Sequence, residues 1–412
     1  MLFNRDRALD LMGRFNLDVI IAAAPENIQY VSGLEGWTQN IYKYNRAQAF
    51  ALFFRNRNAS AALLIPGQEN TYAVSQKLSV PEVYLYGRRG GLHWPEGAKP
   101  RGREEEAFAR LVQGRTFTSP GEGLIWLLRD RGASSGRIAL DEERCAPPIR
   151  EHLKRELGAG AEILPGSNLF RLSRLVKTPD EIARLRTAAR ANEKCYGAVI
   201  AAVRRGAAEL AVAAAYRIAA AQAGGLFGWF HFGGGRRSCS MFPPSKYRLK
   251  KGDLYVFDAG MSLGGYFADT GGCGLIGPPD ERHKRAYKAV RAGLDAALAK
   301  VRAGVTGSAI YHAMMDGVQK SGLPNFHQTF AGHTIGLEPR EFPFTLGPTE
   351  RASDPFLPDT TDVPLPERSV INLEVPAGEF GWGGMQVEAS VVVKAKGFEH
   401  LIPWRRRLEL SR

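Results

Sequence analysis

Hydrophobic and polar positions alternate along the first 170 residues in a pattern that predicts a compact α/β domain. Residues 5–15 carry apolar side chains at helical spacing, and the run LDVIIAAA that follows predicts a core strand over residues 17–24. The runs AFALFF, AALLIP and RIALDE predict further strands, while EEEAFARLVQ and IREHLKREL predict helices. Strands that alternate with helices in this way indicate an α/β fold.

A second domain is predicted to begin at the segment RLVKTPDEIARLRTAAR. Thr178 can cap a helix, Pro179 suits the first helical position, and Glu181 completes the spacing of a capping box. Further helices are predicted at residues 207–223, 280–303 and 306–321. A hairpin pattern follows each pair of helices, so the order helix–helix–hairpin occurs twice. We therefore expect an N-terminal domain of residues 1–171 and an α+β domain of residues 172–412 with an internal pseudo-twofold repeat.

The first hairpin, FDAGMSLGGYFADTGG, carries one aspartate on each strand. The letters SLGG between the strands have the composition of a turn, which Ser262 and Gly265 would close. That register would place Asp258 directly opposite Asp269, with Cβ atoms about 4.5–5.5 Å apart. Two carboxylates at that distance repel each other, so we expect a positive charge between them.

The second hairpin repeats this chemistry with glutamates. Glu374 in INLEV and Glu388 in QVEAS are equally distant from Gly381, and a further donor is available from His333 in FAGHTIGL. Four carboxylates and one imidazole can hold two divalent metal ions about 3.5–4 Å apart. Such oxygen-rich ligation favours Mn²⁺, which we expect first, with Fe²⁺, Co²⁺ and Zn²⁺ as the other candidates.

The composition is that of an ordinary globular protein, with 44% hydrophobic and 24% charged residues. Four scattered cysteines without a C-x-x-C pair indicate a reducing compartment, and the apolar run near the N-terminus is too short to span a bilayer. We therefore expect a cytoplasmic protein without a membrane segment. The net charge is +13, but no nucleic-acid-binding signature accompanies the dispersed basic residues, so we expect no nucleic-acid partner.

Several segments together resemble the pita-bread metallopeptidase family, whose members include aminopeptidase P, prolidase, methionine aminopeptidase and creatinase. The segments are LVKTPDEIARLRTAA, GDLYVFDAG with GYFADT, FAGHTIGL, INLEVPAG and MQVEASVVV, within residues 172–400. The stretch PENIQYVSGLEGW, residues 25–37, is similar to the N-terminal domain of the prolidase, creatinase and ectoine-hydrolase branch. The resemblance implies a creatinase-like α/β N-terminal domain, a pita-bread catalytic domain and a homodimer.

The resemblance also implies roles for individual residues. The five metal ligands of the family fall on Asp258, Asp269, His333, Glu374 and Glu388. The family residue that matches Glu374 also handles protons around a metal-bridging hydroxide, which attacks a carbonyl polarised by the metals. The implied reaction is hydrolysis of an amide or related C–N bond.

Three positions depart from the proline-cleaving members. Their histidine seventeen residues before the first aspartate is Met241 here, and their histidine seven residues after the ligand histidine is Arg340. Their Thr-Arg pair after the second aspartate has become Thr270-Gly271-Gly272. Arginine can stabilise an oxyanion or clamp a carboxylate, whereas methionine can do neither.

The aromatic run GWFHFGGGRR contains a candidate for the missing proton carrier, His231. The alternative interpretation is a strand residue that packs against Trp229 and Phe230. Arg236 and Arg237 could attract an anionic substrate, or they could only solvate a loop.

The leading hypothesis is a dinuclear metallohydrolase that acts on a small molecule or short peptide, while Met241 and Arg340 argue against a plain Xaa-Pro peptidase. One alternative is a lyase, in which a metal-bound base removes a proton beside a substrate carboxylate held by Arg340. The other alternative is a non-catalytic binding module, which the presence of all five ligands disfavours.

Overall fold

The chain divides into two compact units. The computed structural model describes residues 2–42, 47–88, 94–348, 354–360, 362–404 and 407–412. The first unit comprises residues 1–174 with 353–357, and the second comprises residues 175–352 with 358–412. The domain boundary between residues 171 and 172 stays a prediction. Among the described residues, no helix is both long enough and apolar enough to cross a membrane.

The first unit is built on one mixed sheet. Its strands are β1 (Val19–Ala22), β2 (Phe50–Phe54), β3 (Ala62–Pro66), β4 (Glu82–Tyr86), β5 (Thr116–Phe117), β6 (Arg137–Leu140) and β7 (Glu162–Pro165). Its helices are α1 (Arg5–Arg14), α2 (Pro25–Ser32), α3 (Thr38–Ile41), α4 (Asn70–Ser75), α5 (Arg103–Gln113), α6 (Pro120–Asp130), α7 (Pro147–Leu157) and α8 (Ser167–Arg174). The strand order is β5-β4-β3-β2-β1-β6-β7, and every residue of β1, β2 and β3 is buried. The α/β prediction is confirmed, although the sequence analysis did not predict the strands β4, β5 and β7 or the helices α2, α3, α4, α6 and α8.

The second unit contains two four-stranded sheets. Its helices are α9 (Pro179–Ala202), α10 (Glu209–Gln222), α11 (Glu281–Lys300) and α12 (Gly307–Lys320). Its strands are β8 (Leu226–Gly234), β9 (Leu254–Leu263), β10 (Tyr266–Ile276), β11 (Gly332–Thr334), β12 (Val370–Glu379), β13 (Gly383–Val393), β14 (Phe398–His400) and β15 (Glu409–Ser411). The sheets run in the orders β15-β10-β9-β8 and β11-β12-β13-β14. Each sheet is centred on a hairpin that follows a pair of helices, as the repeated sequence pattern predicts.

Helix α9 opens the second unit with the predicted capping box. The side chain of Thr178 accepts a hydrogen bond from the backbone N–H of Glu181, and the Glu181 carboxylate accepts one from the backbone N–H of Thr178 at 2.8 Å. Pro179 is the first helical residue. Two N–H groups that the first turn leaves free are thus satisfied locally.

The first hairpin, β9–β10, has a different register from the predicted one. Gly264 and Gly265 have φ values of 57° and 80°, so they form a two-residue turn that Leu263 and Tyr266 close. Such a turn, with both central residues at positive φ, matches the twist of a hairpin, and two adjacent glycines adopt it without steric strain. The prediction that Ser262 and Gly265 close the turn is therefore wrong.

The corrected register changes what lies opposite each aspartate. Asp258 pairs with Gly271, and Asp269 pairs with Gly260. Because the register differs from the prediction by two residues, an even number, both aspartates still point to the same face of the sheet. The direct pairing of the two aspartates is wrong, and they are diagonal neighbours. In the second hairpin, Glu374 lies directly opposite Glu388, which confirms that pairing.

A buried ion pair fixes the segment that follows β11. Lys177 Nζ lies 2.6 Å from Glu341 Oε2, and these two side chains are 1% and 0% exposed. The other carboxylate oxygen accepts hydrogen bonds from the backbone N–H groups of Leu337 at 3.0 Å and Glu338 at 3.4 Å. The chain after β11 is therefore held to the residues just before α9.

Replacing Lys177 with methionine should lower the free energy of unfolding by about 3–5 kcal/mol, because it leaves the Glu341 carboxylate buried without its cation. Lys320 provides the matched control, since it pairs with Asp316 at 2.8 Å with its side chain 75% exposed. Lys320→Met should cost less than about 1 kcal/mol. Urea unfolding followed by circular dichroism measures both variants, and equal losses would contradict the prediction.

Candidate metal centre

The two hairpins and strand β11 bring the five predicted ligands together. Ligand atoms of Asp258, Asp269 and Glu388 all lie within 4.8 Å of one another. His333 Nε2 lies 3.2 Å from Asp269 Oδ2 and 4.0 Å from Glu374 Oε1. The set therefore divides into an all-carboxylate group and a group that contains the imidazole, with Asp269 between them.

The carboxylates are buried against one another, which destabilises their charged forms. Burial raises the pKa of Asp269 well above its usual value, and the charges of Asp258 and Glu374 raise it further. Burial, followed by the charges of Asp269 and Asp258, has the same effect on the pKa of Glu388. Burial and then the charge of Asp258 also raise the pKa of Glu374. A cation between these groups would remove the repulsion.

The orientation of His333 also suits a bound cation. Its Nδ1 lies 3.0 Å from the Thr334 carbonyl oxygen, which can only accept a hydrogen bond, so Nδ1 carries a proton. Burial lowers the pKa of His333 and favours the neutral ring. The lone pair of Nε2 then faces Asp269 Oδ2, another acceptor, at 3.2 Å. Two acceptors that face each other fit a metal ion between them.

Two further carboxylate oxygens support the same fit. Asp269 Oδ1 and Glu374 Oε1 are buried and have no hydrogen-bond partner. Buried oxygens are normally hydrogen-bonded, and a bound ion is one explanation for such exceptions. The Arg340 guanidinium lies 3.6 Å from Glu374 Oε1 and balances only part of the negative charge. Hard oxygen donors with one imidazole suit a pair of divalent ions.

Two amide side chains that the sequence analysis missed hold Glu388. Asn372 Nδ2 donates to Glu388 Oε1 at 2.7 Å, and Gln386 Nε2 donates to Glu388 Oε2 at 3.2 Å. Ser390 in turn donates to the Asn372 side-chain oxygen at 2.7 Å. Asn372 and Gln386 each stand two residues before a predicted ligand, Glu374 or Glu388. The two-residue period of a strand, which puts them on the ligand face, could have identified them.

Trp229 is a second contact that the sequence analysis missed. Its Nε1 donates to Asp258 Oδ1 at 2.6 Å. Strand alternation puts Trp229 and His231 on one face of β8 and Phe230 on the other. His231 pairs directly with Asp258 across the strands, and its Nδ1 is buried without a hydrogen-bond partner. His231 therefore lies beside the carboxylates.

A cavity of about 740 Å³ opens on the carboxylates. Among its lining residues are Trp229, His231, Met241, His327, Phe330 and Arg340. The Arg340 guanidinium lies over the Phe330 ring, 5.1 Å from its centroid, and the Arg340 side chain is 44% exposed. Arg237 instead pairs with Glu209 at 3.3 Å. Among the residues that the structure describes, the cavity lining thus presents one arginine, aromatic rings and a thioether beside four of the five predicted ligands, Glu388 being the exception.

Known proteins of similar sequence and structure are mainly peptidases. A Xaa-Pro dipeptidase from Pyrococcus horikoshii is 24% identical over 86% of this chain and 96% of its own length. A putative dipeptidase from Bacillus subtilis, YkvY, is 26% identical over 68% of this chain and 74% of its own.

Solved structures show the same fold along nearly the whole chain. The X-Pro aminopeptidase from Thermotoga maritima matches with a TM-score of 0.75 at 21% identity, covering 97% of this chain and 99% of that one. The prolidase from P. horikoshii matches with a TM-score of 0.72 at 20% identity, covering 98% and 99%.

Family models match both parts of the chain. The creatinase/prolidase N-terminal domain matches residues 5–176, and metallopeptidase family M24 matches residues 183–395. The fold is thus a creatinase-type N-terminal domain followed by a pita-bread catalytic domain. Enzymes of family M24 use divalent metals, in keeping with the carboxylate cluster. The chain belongs to metallopeptidase family M24 and is a metallopeptidase-like hydrolase.

Proposed function

We propose that this protein is a dinuclear metal-dependent hydrolase that cleaves an amide or related C–N bond in a short peptide or a small carboxylate-bearing amide. The observation that carries the proposal is the cluster of buried carboxylates around Nε2 of His333, two of whose oxygens have no hydrogen-bond partner. The relatives named as Xaa-Pro dipeptidases support a short peptide as the substrate. The homodimer and the cytoplasmic location stay predictions.

The ligand atoms would serve two ions. Asp258, Asp269 and Glu388 would hold one ion, and His333 and Glu374, together with Asp269, would hold the other. Mn²⁺ is the first candidate because the donor set is mainly oxygen. Bound there, the two ions would supply an activated water and polarise the scissile carbonyl.

Three side chains around the cavity would act on the substrate. Glu374, whose Oε1 has no hydrogen-bond partner, would take a proton and pass it to the leaving nitrogen. Arg340 would bind a substrate carboxylate, since its guanidinium is partly exposed and already oriented by Phe330. His231 would carry protons in place of the histidine that Met241 replaces.

The metal content of the purified protein tests the proposed site directly. Protein purified without chelator and reloaded with Mn²⁺ should contain about two ions per chain by elemental analysis. Asp258→Asn and Glu388→Gln should lose metal, because each removes a charge from the cluster without changing its shape. Asp316→Asn is the control, since Asp316 is an exposed acid on α12. Chelation should abolish cleavage of dipeptides by the wild type.

Absence of bound metal under any loading would overturn the proposal. The product of the loaded enzyme separates hydrolysis from the lyase alternative. In water labelled with oxygen-18, hydrolysis puts one labelled atom into the new carboxylate. An unsaturated product without label would instead assign a lyase reaction.

Because Gly271 has no side chain, the Glu388 carboxylate can lie close to its backbone. A Cβ at residue 271 would collide with Gln386 Nε2 and Glu388 Oε2. Gly271→Ala should therefore weaken Mn²⁺ binding and lower the free energy of unfolding by about 1–3 kcal/mol, as overpacking does. Gly197→Ala is the matched control within α9, where a Cβ meets nothing within 4 Å and should stabilise the helix by up to about 1 kcal/mol. Calorimetric metal titration and thermal unfolding measure both, and wild-type metal affinity in Gly271→Ala would contradict the prediction.

Arg340 is predicted to recognise a carboxylate. Arg340→Met should raise KM about 10- to 100-fold for dipeptides with a free C-terminal carboxylate, the equivalent of losing about 1.5–3 kcal/mol of charge-assisted hydrogen bonding. Dipeptides with an amidated C-terminus are the control and should respond little. Equal losses of kcat/KM for both substrates would show that Arg340 acts at the scissile carbonyl instead.

A further inference from the structure

We infer that Trp229 is a positioning residue, which holds Asp258 so that one defined carboxylate oxygen is presented to metal. The inference rests on the proposed function, because it assumes that Asp258 is a metal ligand. It concerns a residue that neither the family motifs nor the predicted ligand set includes.

The hydrogen bond from Trp229 gives the two oxygens of Asp258 different roles, since one oxygen accepts it and the other does not. Trp229 Nε1 lies 2.6 Å from Oδ1, which is a short bond for an N–H donor. The other oxygen, Oδ2, is 3.5 Å from Gln386 Nε2, at the outer limit of a hydrogen bond. The Asp258 carboxylate is thus held firmly through Oδ1, while Oδ2 stays available to a cation.

The backbone around Trp229 is shaped to bring the indole to this position. The pairing of β8 with β9 is irregular at Gly228, so the register shifts just before Trp229. The indole lies over Gly260, where any Cβ would collide with the ring. On its other side it stacks on Phe267, with ring centroids 6.3 Å apart and planes at 21°. A bulge, a glycine and a stacked ring therefore fix one side chain.

The chemical character of the donor suits a metal ligand. An indole N–H is a neutral donor that can orient a carboxylate but cannot neutralise it. A lysine or arginine in the same position would compete with a cation for the negative charge. Glu388 is supported in the same way, by the neutral amides of Asn372 and Gln386. Partners of this kind orient the ligands of metal sites, and their loss usually weakens metal binding 10- to 100-fold.

The effect should be confined to one of the two ions. Asp258 shares the all-carboxylate group with Asp269 and Glu388, whereas His333 Nε2 lies 3.2 Å from Asp269 and 4.0 Å from Glu374. Removing the indole donor should therefore weaken the binding of the ion in the all-carboxylate group. The ion beside His333 should keep its affinity.

The experiment is a calorimetric titration of metal-free Trp229→Phe with Mn²⁺. Phenylalanine keeps an aromatic ring on Gly260 but lacks the N–H. We expect one of the two binding steps to weaken 10- to 100-fold and the other to match the wild type. Trp382→Phe is the matched control, because that indole contacts Arg282 and His283 rather than a carboxylate. It should bind both ions as the wild type does.

A second variant guards against a folding defect in the first. Gly260→Ala keeps Trp229 but pushes its ring away from Asp258, and it should show the same selective loss. Wild-type binding of both ions by Trp229→Phe would overturn the inference while leaving the proposed function intact. An equal loss of affinity for both ions would also overturn the inference. If the wild type itself binds no metal, the proposed function fails first.

Discussion

The mutual repulsion of buried carboxylates is the constraint on which the catalytic unit depends. Two hairpins from the two halves of an internal repeat place two acids each on facing strands, and burial raises the pKa of Asp269, Glu374 and Glu388. A fold that only needed stability would have replaced these groups with apolar side chains. Their presence in a hydrophobic sheet makes sense when cations complete the site.

The sequence predicted which acidic side chains lie together more reliably than it predicted the pairing of the strands. Side chains on a strand alternate with a period of two, so Asp258 and Asp269 share a face in any register that differs by an even number. The exact partners depend on the turn, whose two central residues are Gly264 and Gly265 rather than the expected Leu263 and Gly264. The predicted convergence of the two aspartates did not depend on the exact register, because it required only that both lie on one face of the sheet.

The supporting residues were harder to predict because they are ordinary residues in ordinary strands. Asn372 and Gln386 can be recognised by their two-residue offset from the ligands, but Trp229 contacts Asp258 only because of an irregular pairing at Gly228. No spacing rule predicts the direction in which a bulge turns a side chain. Packing explains why glycines stand at 271 and 272, where the sequence departs from the Thr-Arg pair of the proline-cleaving family members. A side chain at 271 would collide with Gln386 and Glu388, and one at 272 would press on the ring of Tyr196.

The side chains that hold the carboxylates are neutral, whereas the side chain that we propose for substrate binding is charged. Indole and amide donors hold Asp258 and Glu388, and these groups leave the negative charge of the cluster intact. The Arg340 guanidinium differs, because it is charged, partly exposed, and lies 3.6 Å from Glu374 at the cavity. Metal ions bound between the carboxylates would take over the charge balance that Arg340 now provides in part. The guanidinium would then be free to pair with an anionic group of a substrate, and the predicted replacement of a family histidine by arginine would serve recognition.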